Sequence, residues 1–571
     1  MKQEFDVVVV GSGAGAMLTA IKAHDEGLSV VVLEKSEQYG GTSAISGGGI
    51  WIPLNDQVND DREAALTYMR AAAQGQVDDK RLVAYVDTAA EMVRYMTSAT
   101  RVRYAACHRY PDYYPALPGA RDGGRTMDPE LFDGALLGDE LARLRTPSPA
   151  TLLMGKVSMT ARDAHKMLAK EKGWKLIFAK LMLRFMLDWR WRKKTGRRTD
   201  RRLALGNALV AGLRHGLMTR NIPLCLNTAL QSLVYDGQRV TGVVAGQDGK
   251  LVEFAARRAV VLAAGGFERN QALRDQYLPQ PNSAQWGVTP PNNTGDTLVA
   301  AQALGAQTDL MGWAWWVPTV AVPKEDSQRG LFAERSLPGC IAVDGTGQRF
   351  VDEAKPYLEF VTAMYARHRE NGRCVPAWLI FDADFRHKYP MGPLMPGQVA
   401  PDSRLRKSWL NIVYWKADTL ESLAAQIGVD AKGLTATVAQ VNEDAASGVD
   451  RDYGKGSNVF DRYYGDVNVK PNPCLAPVAK GPFYAMKLDA GDIGTKGGLL
   501  TNEDAQVLHQ SGAPIAGLYA IGNTSASVMG PSYPGAGSTL GPALTFGYRA
   551  ALHIARAPLP SVTPSQEYAI C

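Results

Sequence analysis

The chain has 571 residues, 46% hydrophobic and 21% charged. This composition excludes extended disorder, and the length suits a few sizeable domains at about 100–200 residues each. A net charge of +6 is mild, and six scattered cysteines (Cys107, Cys225, Cys340, Cys374, Cys474 and Cys571) form no CxxC pair. Their spacing argues against a disulfide framework and against a zinc or iron–sulfur site, and it fits a reducing compartment. No metal site is expected. No charged-then-apolar leader precedes the first strand, and no stretch of about 18 uncharged apolar residues occurs. A cytoplasmic chain without a transmembrane helix is the expectation.

Phe5 to Val10 is a continuous β-branched run, as in a strand buried on both faces of a parallel sheet. It runs into Gly11-Ser-Gly13-Ala-Gly15-Ala16. A helical segment (residues 16–26) follows, then a second strand (28–33) ending in Glu34. This is a βαβ unit with an acidic residue about 20 positions beyond the glycines, the pattern that binds a dinucleotide. Gly11 permits the tight turn, Gly13 lets backbone approach a pyrophosphate, and Ala16 lets the helix pack closely. The helix N-terminus offers N–H donors to phosphate, and Glu34 offers acceptors to the adenosine ribose.

Gly40 to Gly49 is dense in small residues, which suits backbone wrapped around a flat rigid ligand such as a flavin. Arg258 to Gly266 and Gly517 to Asn523 each read as a buried strand ending in small residues. Leu540 to Ile554 reads as a helix, with Pro542 tolerated in its first turn. A helix starting near Ser538 could aim its N-terminus at a flavin pyrimidine carbonyl. The residues predicted to hold the dinucleotide are Gly11, Gly13, Ala14, Gly15, Ala16, Glu34, Lys35, Gly41, Thr42, Ser43, Ser46, Gly47, Gly48, Ala264, Gly265, Gly522, Asn523, Ser538 and Leu540. The predicted fold is α/β: a Rossmann-like FAD-binding domain formed by residues 1–310 and 491–571, with an α+β substrate domain inserted at 311–490 and a basic helical insertion at 160–205.

Residues 162–202 carry fifteen Lys/Arg against four Asp/Glu, a local +11 that leaves the remaining chain net acidic. Trp174 to Trp191 is predicted as one largely apolar helix with Lys180, Arg184 and Asp188 as a polar stripe and Trp174, Trp189 and Trp191 at its ends. Such a segment suits an anionic membrane surface, with basic neighbours on headgroups. The alternative is a helix packed on the protein's own body or on a second copy.

Three blocks together (the βαβ unit, the late strands and the last helix) resemble flavoproteins of the fumarate reductase/succinate dehydrogenase class. Tyr533-Pro-Gly-Ala-Gly537-Ser-Thr-Leu-Gly-Pro-Ala-Leu-Thr-Phe-Gly-Tyr is similar to the C-terminal signature of 3-ketosteroid Δ1-dehydrogenases. Pro111-Asp-Tyr113-Tyr114-Pro115 and Arg349-Phe-Val-Asp-Glu353-Ala-Lys-Pro-Tyr357 extend the likeness over most of the chain except roughly 160–205. The resemblance implies FAD-dependent introduction of a C1–C2 double bond into the A ring of a 3-ketosteroid. It implies that the Tyr533 hydroxyl and the Gly537 N–H polarise the ketone, that Tyr357 takes the C2 proton, and that Tyr113 assists it. Tyr114 stays open as the assistant, because the two tyrosines are adjacent. Tyr110, Tyr114 and Trp316 are expected in the substrate pocket. Trp313, Trp315, Trp316 and Pro318 stand where relatives that reduce dicarboxylates carry His and Arg, which suits an apolar ring system. Covalent members link the flavin to a His in the segment matching 40–49; none is present here, so FAD is expected to be non-covalent. A quinone or similar acceptor would reoxidise the flavin, and peripheral attachment to the inner face of the cytoplasmic membrane would suit a lipid-soluble substrate.

Two rival functions follow from the same features. One is a Δ4-(5α)-dehydrogenase acting on C4 and C5; the other is a membrane-docked flavoprotein that carries electrons or binds steroid without catalysis. No HExxH, GxSxG or Walker motif occurs, and no nucleic-acid-binding signature is present.

Overall fold

Val7 to Val10 are buried at the C-terminal end of the strand Lys2–Val10. A branched apolar run without polar alternation suits a strand covered on both faces, and this strand is central. It pairs in parallel with Val30–Leu33 on one side and Lys250–Leu262 on the other. The computed structural model describes residues 2–247 and 249–558. Cys571 and the last part of the 491–571 segment lie outside the described residues. The sheet order is Leu224–Cys225, Val30–Leu33, Lys2–Val10, Lys250–Leu262, Val240–Gln247, Thr228–Tyr235. Pro514–Ala520 lies parallel to the C-terminal end of Lys250–Leu262, so a strand from late in the chain completes the sheet begun by the first.

The parallel strands open their loops at one end of the sheet. There lie Gly11–Gly13 after Lys2–Val10, Glu34 after Val30–Leu33, Ala263–Gly266 after Lys250–Leu262, and Gly522–Thr524 after Pro514–Ala520. Ligands of open α/β sheets bind at this end. The helix Ala14–Asp25 begins there and packs against the last helix, Leu540–Arg556. Gly15 is needed for that contact, because a Cβ on it would sit 2.6 Å from the Ala543 carbonyl oxygen.

A second sheet is antiparallel, in the order Arg329–Gly330, Ala314–Val320, Phe483–Thr495, Ala377–Phe381, Cys340–Val343, with Trp415–Ala417 also on Phe483–Thr495. The helix Tyr357–Asn371 packs on the wholly buried strand Ala314–Val320.

The basic segment forms Ala161–Leu168, Trp174–Leu187 and Trp189–Thr195. The single helix expected over 174–191 is therefore corrected: the chain turns at Asp188. The expected polar stripe is also inverted in role. Arg184 reaches Asp200 at 2.8 Å and Asp188 lies 3.7 Å from Arg201, so these charges anchor the helix to the body. Leu176, Leu183, Met186 and Leu187 face outward, Leu176 being 75% and Leu187 71% exposed. Among the described residues no helix is long and apolar enough to cross a membrane.

Candidate active site

One continuous cavity of about 480 Å³ runs from the C-terminal end of the parallel sheet to the second sheet. Its first half is built from the glycine turn. The helix Ala14–Asp25 starts at Gly13, which has no side chain to cap it; the Ala14 N–H donates to the Ser43 hydroxyl at 3.1 Å, and the next amides, of Gly15 and Ala16, remain for a ligand. Glu34 lines the same wall, its carboxylate held by the Ser12 hydroxyl and the Ser36 N–H. Lys35 is held by Thr294 and Asp296, at 2.7 and 2.6 Å. Gly41, Thr42, Ser43, Ser46, Gly47 and Gly48 continue the lining, and Ala264, Gly265, Gly522, Asn523 and Leu540 close it. Gly48 must be glycine: φ is +69° and a Cβ would sit 2.4 Å from the Leu205 backbone. Helix-start amides at one point, an acidic acceptor beyond them and a narrow backbone cradle fit an FAD. No histidine is among the lining residues, so nothing in the lining offers an imidazole for a covalent link.

The second half is aromatic. Tyr113, Tyr357 and Tyr533 come from three separate segments and meet at ring-centroid distances of 5.8, 5.4 and 5.1 Å. Tyr357 is the first residue of the helix Tyr357–Asn371, which places its hydroxyl at the helix mouth. The Tyr113 and Tyr357 hydroxyls are 3.5 Å apart; Tyr113 to Tyr110 is 3.1 Å and Tyr464 to Tyr110 is 2.8 Å. Four phenols thus form a file leading from Tyr357.

Burial, and after it the neighbouring phenols, hold Tyr357 and Tyr113 well above the ordinary range. Burial also raises Tyr533, but the Thr539 hydroxyl, the Tyr357 hydroxyl and the Gly537 N–H oppose it. Tyr533 therefore keeps its proton and can donate it in a hydrogen bond. Gly537 has φ +99° and a Cβ there would lie 2.4 Å from Ile50, so only glycine brings this amide beside the tyrosine. A neutral phenol and a backbone N–H at one point can share a carbonyl oxygen, and a second phenol beside them can take a proton once ionised to its phenolate.

Three expected site residues are corrected. Tyr114 faces away from the cavity: its hydroxyl bonds Glu359 and accepts the Tyr533 N–H at 2.8 Å. Trp316 does not line the cavity, because its strand is covered on both faces and its ring packs on Tyr365 at 5.3 Å. Trp313, Trp315 and Pro318 do not line it either. Ser538 is fully buried and bonds the Gly535 carbonyl at 2.7 Å, inside its own turn; the helix proper starts at Leu540. The apolar wall comes instead from Tyr110, Tyr464 and Phe332, with Phe332 edge-on to Tyr357 at 5.2 Å. Sequence reasoning missed Tyr464, Phe332 and Thr539. The Tyr463-Tyr464 doublet was a weak signal for the first; Phe332 carried none. Asn293, Thr228 and Asp296 at the nucleotide end were also missed, because they reach the cavity only through folding.

The FAD binding domain family matches residues 6–540. The 3-oxosteroid 1-dehydrogenase of Comamonas testosteroni is 45% identical over 579 aligned residues, covering 99% of this chain and 98% of that protein. The enzyme of the same name from Mycobacterium tuberculosis (strain ATCC 25618 / H37Rv) is 42% identical over 570 residues, covering 97% and 98%. Among solved structures, the 3-ketosteroid Δ1-dehydrogenase of Sterolibacterium denitrificans in complex with 1,4-androstadiene-3,17-dione is 61% identical. It superposes with a TM-score of 0.95 over 97% of this chain and 99% of that one.

Proposed function

The chain belongs to the FAD-binding flavoproteins and, among them, to the 3-ketosteroid Δ1-dehydrogenases, and from that premise we propose how its residues divide the reaction. The reaction is the FAD-dependent 1,2-dehydrogenation of a 3-ketosteroid. The observation that carries the assignment of roles is the meeting of Tyr533, Gly537, Tyr357 and Tyr113 at one end of the cavity.

The Tyr533 hydroxyl and the Gly537 N–H bind the C3 ketone oxygen as an oxyanion hole. Their hydrogen bonds strengthen as the oxygen gains charge, which makes the C2 proton easier to remove. Tyr357, as its phenolate, takes that proton and becomes the neutral phenol, and the Tyr113 hydroxyl, which donates towards it at 3.5 Å, steadies the anion. The surrounding aromatic wall excludes water, which preserves the strength of both interactions. Bound FAD supplies the acceptor for the hydride that leaves C1. The glycine turn, Glu34 and the 41–48 segment hold it. Anaerobic addition of a 3-ketosteroid should bleach the oxidised flavin and yield the 1,2-unsaturated product. A new double bond at C4–C5 from a saturated 5α-3-ketosteroid would instead assign the rival chemistry, which the relatives do not favour.

Membrane docking is the second part of the proposal. The outward apolar side of Trp174–Leu187, with Trp189 53% exposed and Lys175, Lys180, Arg190, Lys193 and Lys194 around it, supports a helix resting in an anionic lipid surface. A steroid and a quinone-like acceptor both partition into that layer, at the inner face of the cytoplasmic membrane. We also take residues 1–310 with 491–571 as the FAD-binding unit, 311–490 as the inserted substrate unit and 160–205 as the docking insertion.

A further inference from the structure

A fully buried lysine and a half-buried glutamate lie behind the tyrosine cluster and take no part in the reaction just described. Lys496 is fully buried, with its Nζ 2.5 Å from the Ser532 carbonyl oxygen and 3.5 Å from the centre of the Trp315 ring. Glu359 stands in the first turn of the helix Tyr357–Asn371, two residues from Tyr357. Its carboxylate accepts from the Tyr114 hydroxyl, and its other oxygen has no partner among the described residues. Each feels the other's charge but no ion pair is formed between them, and enclosing an ammonium and a carboxylate oxygen in this way is costly, so their presence here calls for a reason.

The reason lies in a single peptide group. The Ser532 carbonyl and the Tyr533 N–H belong to the same peptide bond and point to its opposite edges. Lys496 holds the carbonyl edge. Tyr114 holds the N–H edge at 2.8 Å and is itself held by Glu359. Two residues on, the Pro534 carbonyl receives the Tyr68 hydroxyl at 2.6 Å and the Tyr113 N–H at 2.9 Å. The backbone leading into Tyr533 is thus gripped from both sides, and one grip originates on the helix that carries Tyr357.

We propose that Lys496 and Glu359, the latter through Tyr114, are positioning residues that clamp the Ser532–Tyr533 peptide and fix the Tyr533 hydroxyl relative to Tyr357. The inference rests on the roles given above to Tyr533 and Tyr357. Trp315 adds to the arrangement: it lies under Lys496, touches the Tyr533 ring at 4.8 Å and bonds Asn523 at 3.2 Å. Burial pushes the Lys496 ammonium well below its usual range and the Glu359 carboxyl up to about 7. Either protonation state of the lysine retains an N–H for the Ser532 carbonyl, so the clamp works as a pair of hydrogen bonds.

An oxyanion hole depends on placement, and a misplaced donor loses charge stabilisation before it loses substrate binding. The experiment uses FAD-loaded full-length enzyme with Lys496→Met, Tyr114→Phe, Glu359→Ala, Glu359→Gln and the double variant Lys496→Met/Tyr114→Phe. Two readouts are taken: kcat and KM for a 3-ketosteroid, and the Kd of estradiol, whose phenolic A ring presents its oxygen as an enolate would. Estradiol binding is followed by the change in flavin absorbance.

For Lys496→Met, Tyr114→Phe and Glu359→Ala the expected result is a kcat loss of about tenfold or more with KM within about threefold. Estradiol affinity should weaken by a comparable factor. Glu359→Gln, which keeps an acceptor for Tyr114, should recover most of the loss. The double variant should fall short of the product of its two single losses, since both act on one peptide. Loss confined to KM, unchanged estradiol affinity, equal damage from Gln and Ala at 359, or multiplicative losses would each overturn the clamp. Tyr114→Phe removes a single oxygen and decides the matter should Lys496→Met fail to fold. Tyr533→Phe serves as the reference: unchanged turnover there would overturn the role of Tyr533 itself, whereas a slow Tyr533→Phe beside normal clamp variants would overturn only the clamp.

Discussion

Tyr113 and Tyr357, 244 positions apart in the chain, bring their hydroxyls to 3.5 Å within the cluster of rings at one end of the cavity. The contact joins the loop that follows the strand Tyr104–Ala106 to the first residue of a helix on the second sheet. It supports Tyr113 over Tyr114 in the proposed helper role, since the Tyr114 hydroxyl is engaged with Glu359. Replacing Tyr357 with Phe should abolish both dehydrogenation and the exchange of C2 hydrogens with deuterated solvent, measured by mass spectrometry of recovered steroid. Exchange that persists while dehydrogenation stops would assign the base to another residue.

The pH profile should carry the same signature. Burial and the adjoining phenols keep Tyr357 protonated well above pH 10, so its basic form is scarce at neutral pH. A raised pKa in an acid means that the active anion grows as pH rises. The rate at low substrate should therefore climb through the neutral and mildly alkaline range, by about tenfold per pH unit while ionisation is limiting. A rate that is flat from pH 7 to pH 9 would argue against ionisation of Tyr357 as a step.

Tyr533→Phe should lower kcat by about 10²–10³ with little change in KM, because the lost hydroxyl bonds the charged oxygen more strongly than the ketone. A variant with normal kcat and raised KM would reduce Tyr533 to a binding residue.

FAD should be released by acid or heat. No histidine stands in residues 40–49 and none lines the cavity. Yellow colour in the supernatant after precipitation is the expected result; colour retained by the pellet would show a covalent link.

The Trp174–Leu187 helix should carry the enzyme onto anionic vesicles. The intact chain should co-sediment with them, retain part of its binding in high salt and need detergent for full release. A chain with 174–191 replaced by a short linker should stay in the supernatant while keeping its FAD and its activity on detergent-dispersed steroid. Equal sedimentation of the two chains, with FAD content checked in both, would remove the docking role.

The nucleotide half of the site was legible because its requirements are local. A tight turn, a helix start and an acidic residue after the next strand fall within about 30 residues, and each is imposed by backbone geometry that only a few residue types satisfy. Of the residues assigned to that half, Ser538 alone turned inward, since a hydroxyl can close a turn as readily as it can face a ligand. Tyr357, Tyr533 and Gly537 were singled out through the stretches that carry the family resemblance, and the fold brings them to one part of the cavity. The substrate wall was decided by packing between distant segments. Trp315 and Trp316 look like a steroid platform in sequence, yet their strand is interior to a sheet and both rings are covered. Tyr464 and Phe332 gained access to the cavity only because their segments fold over it. The basic insertion shows the same division. Charge and aromatic content mark it as unusual, but only the tertiary ion pairs of Arg184 and Asp188 turn its polar side inward and its apolar side out. Local geometry is written in neighbouring residues; which face of an element meets a ligand depends on what the rest of the chain already covers.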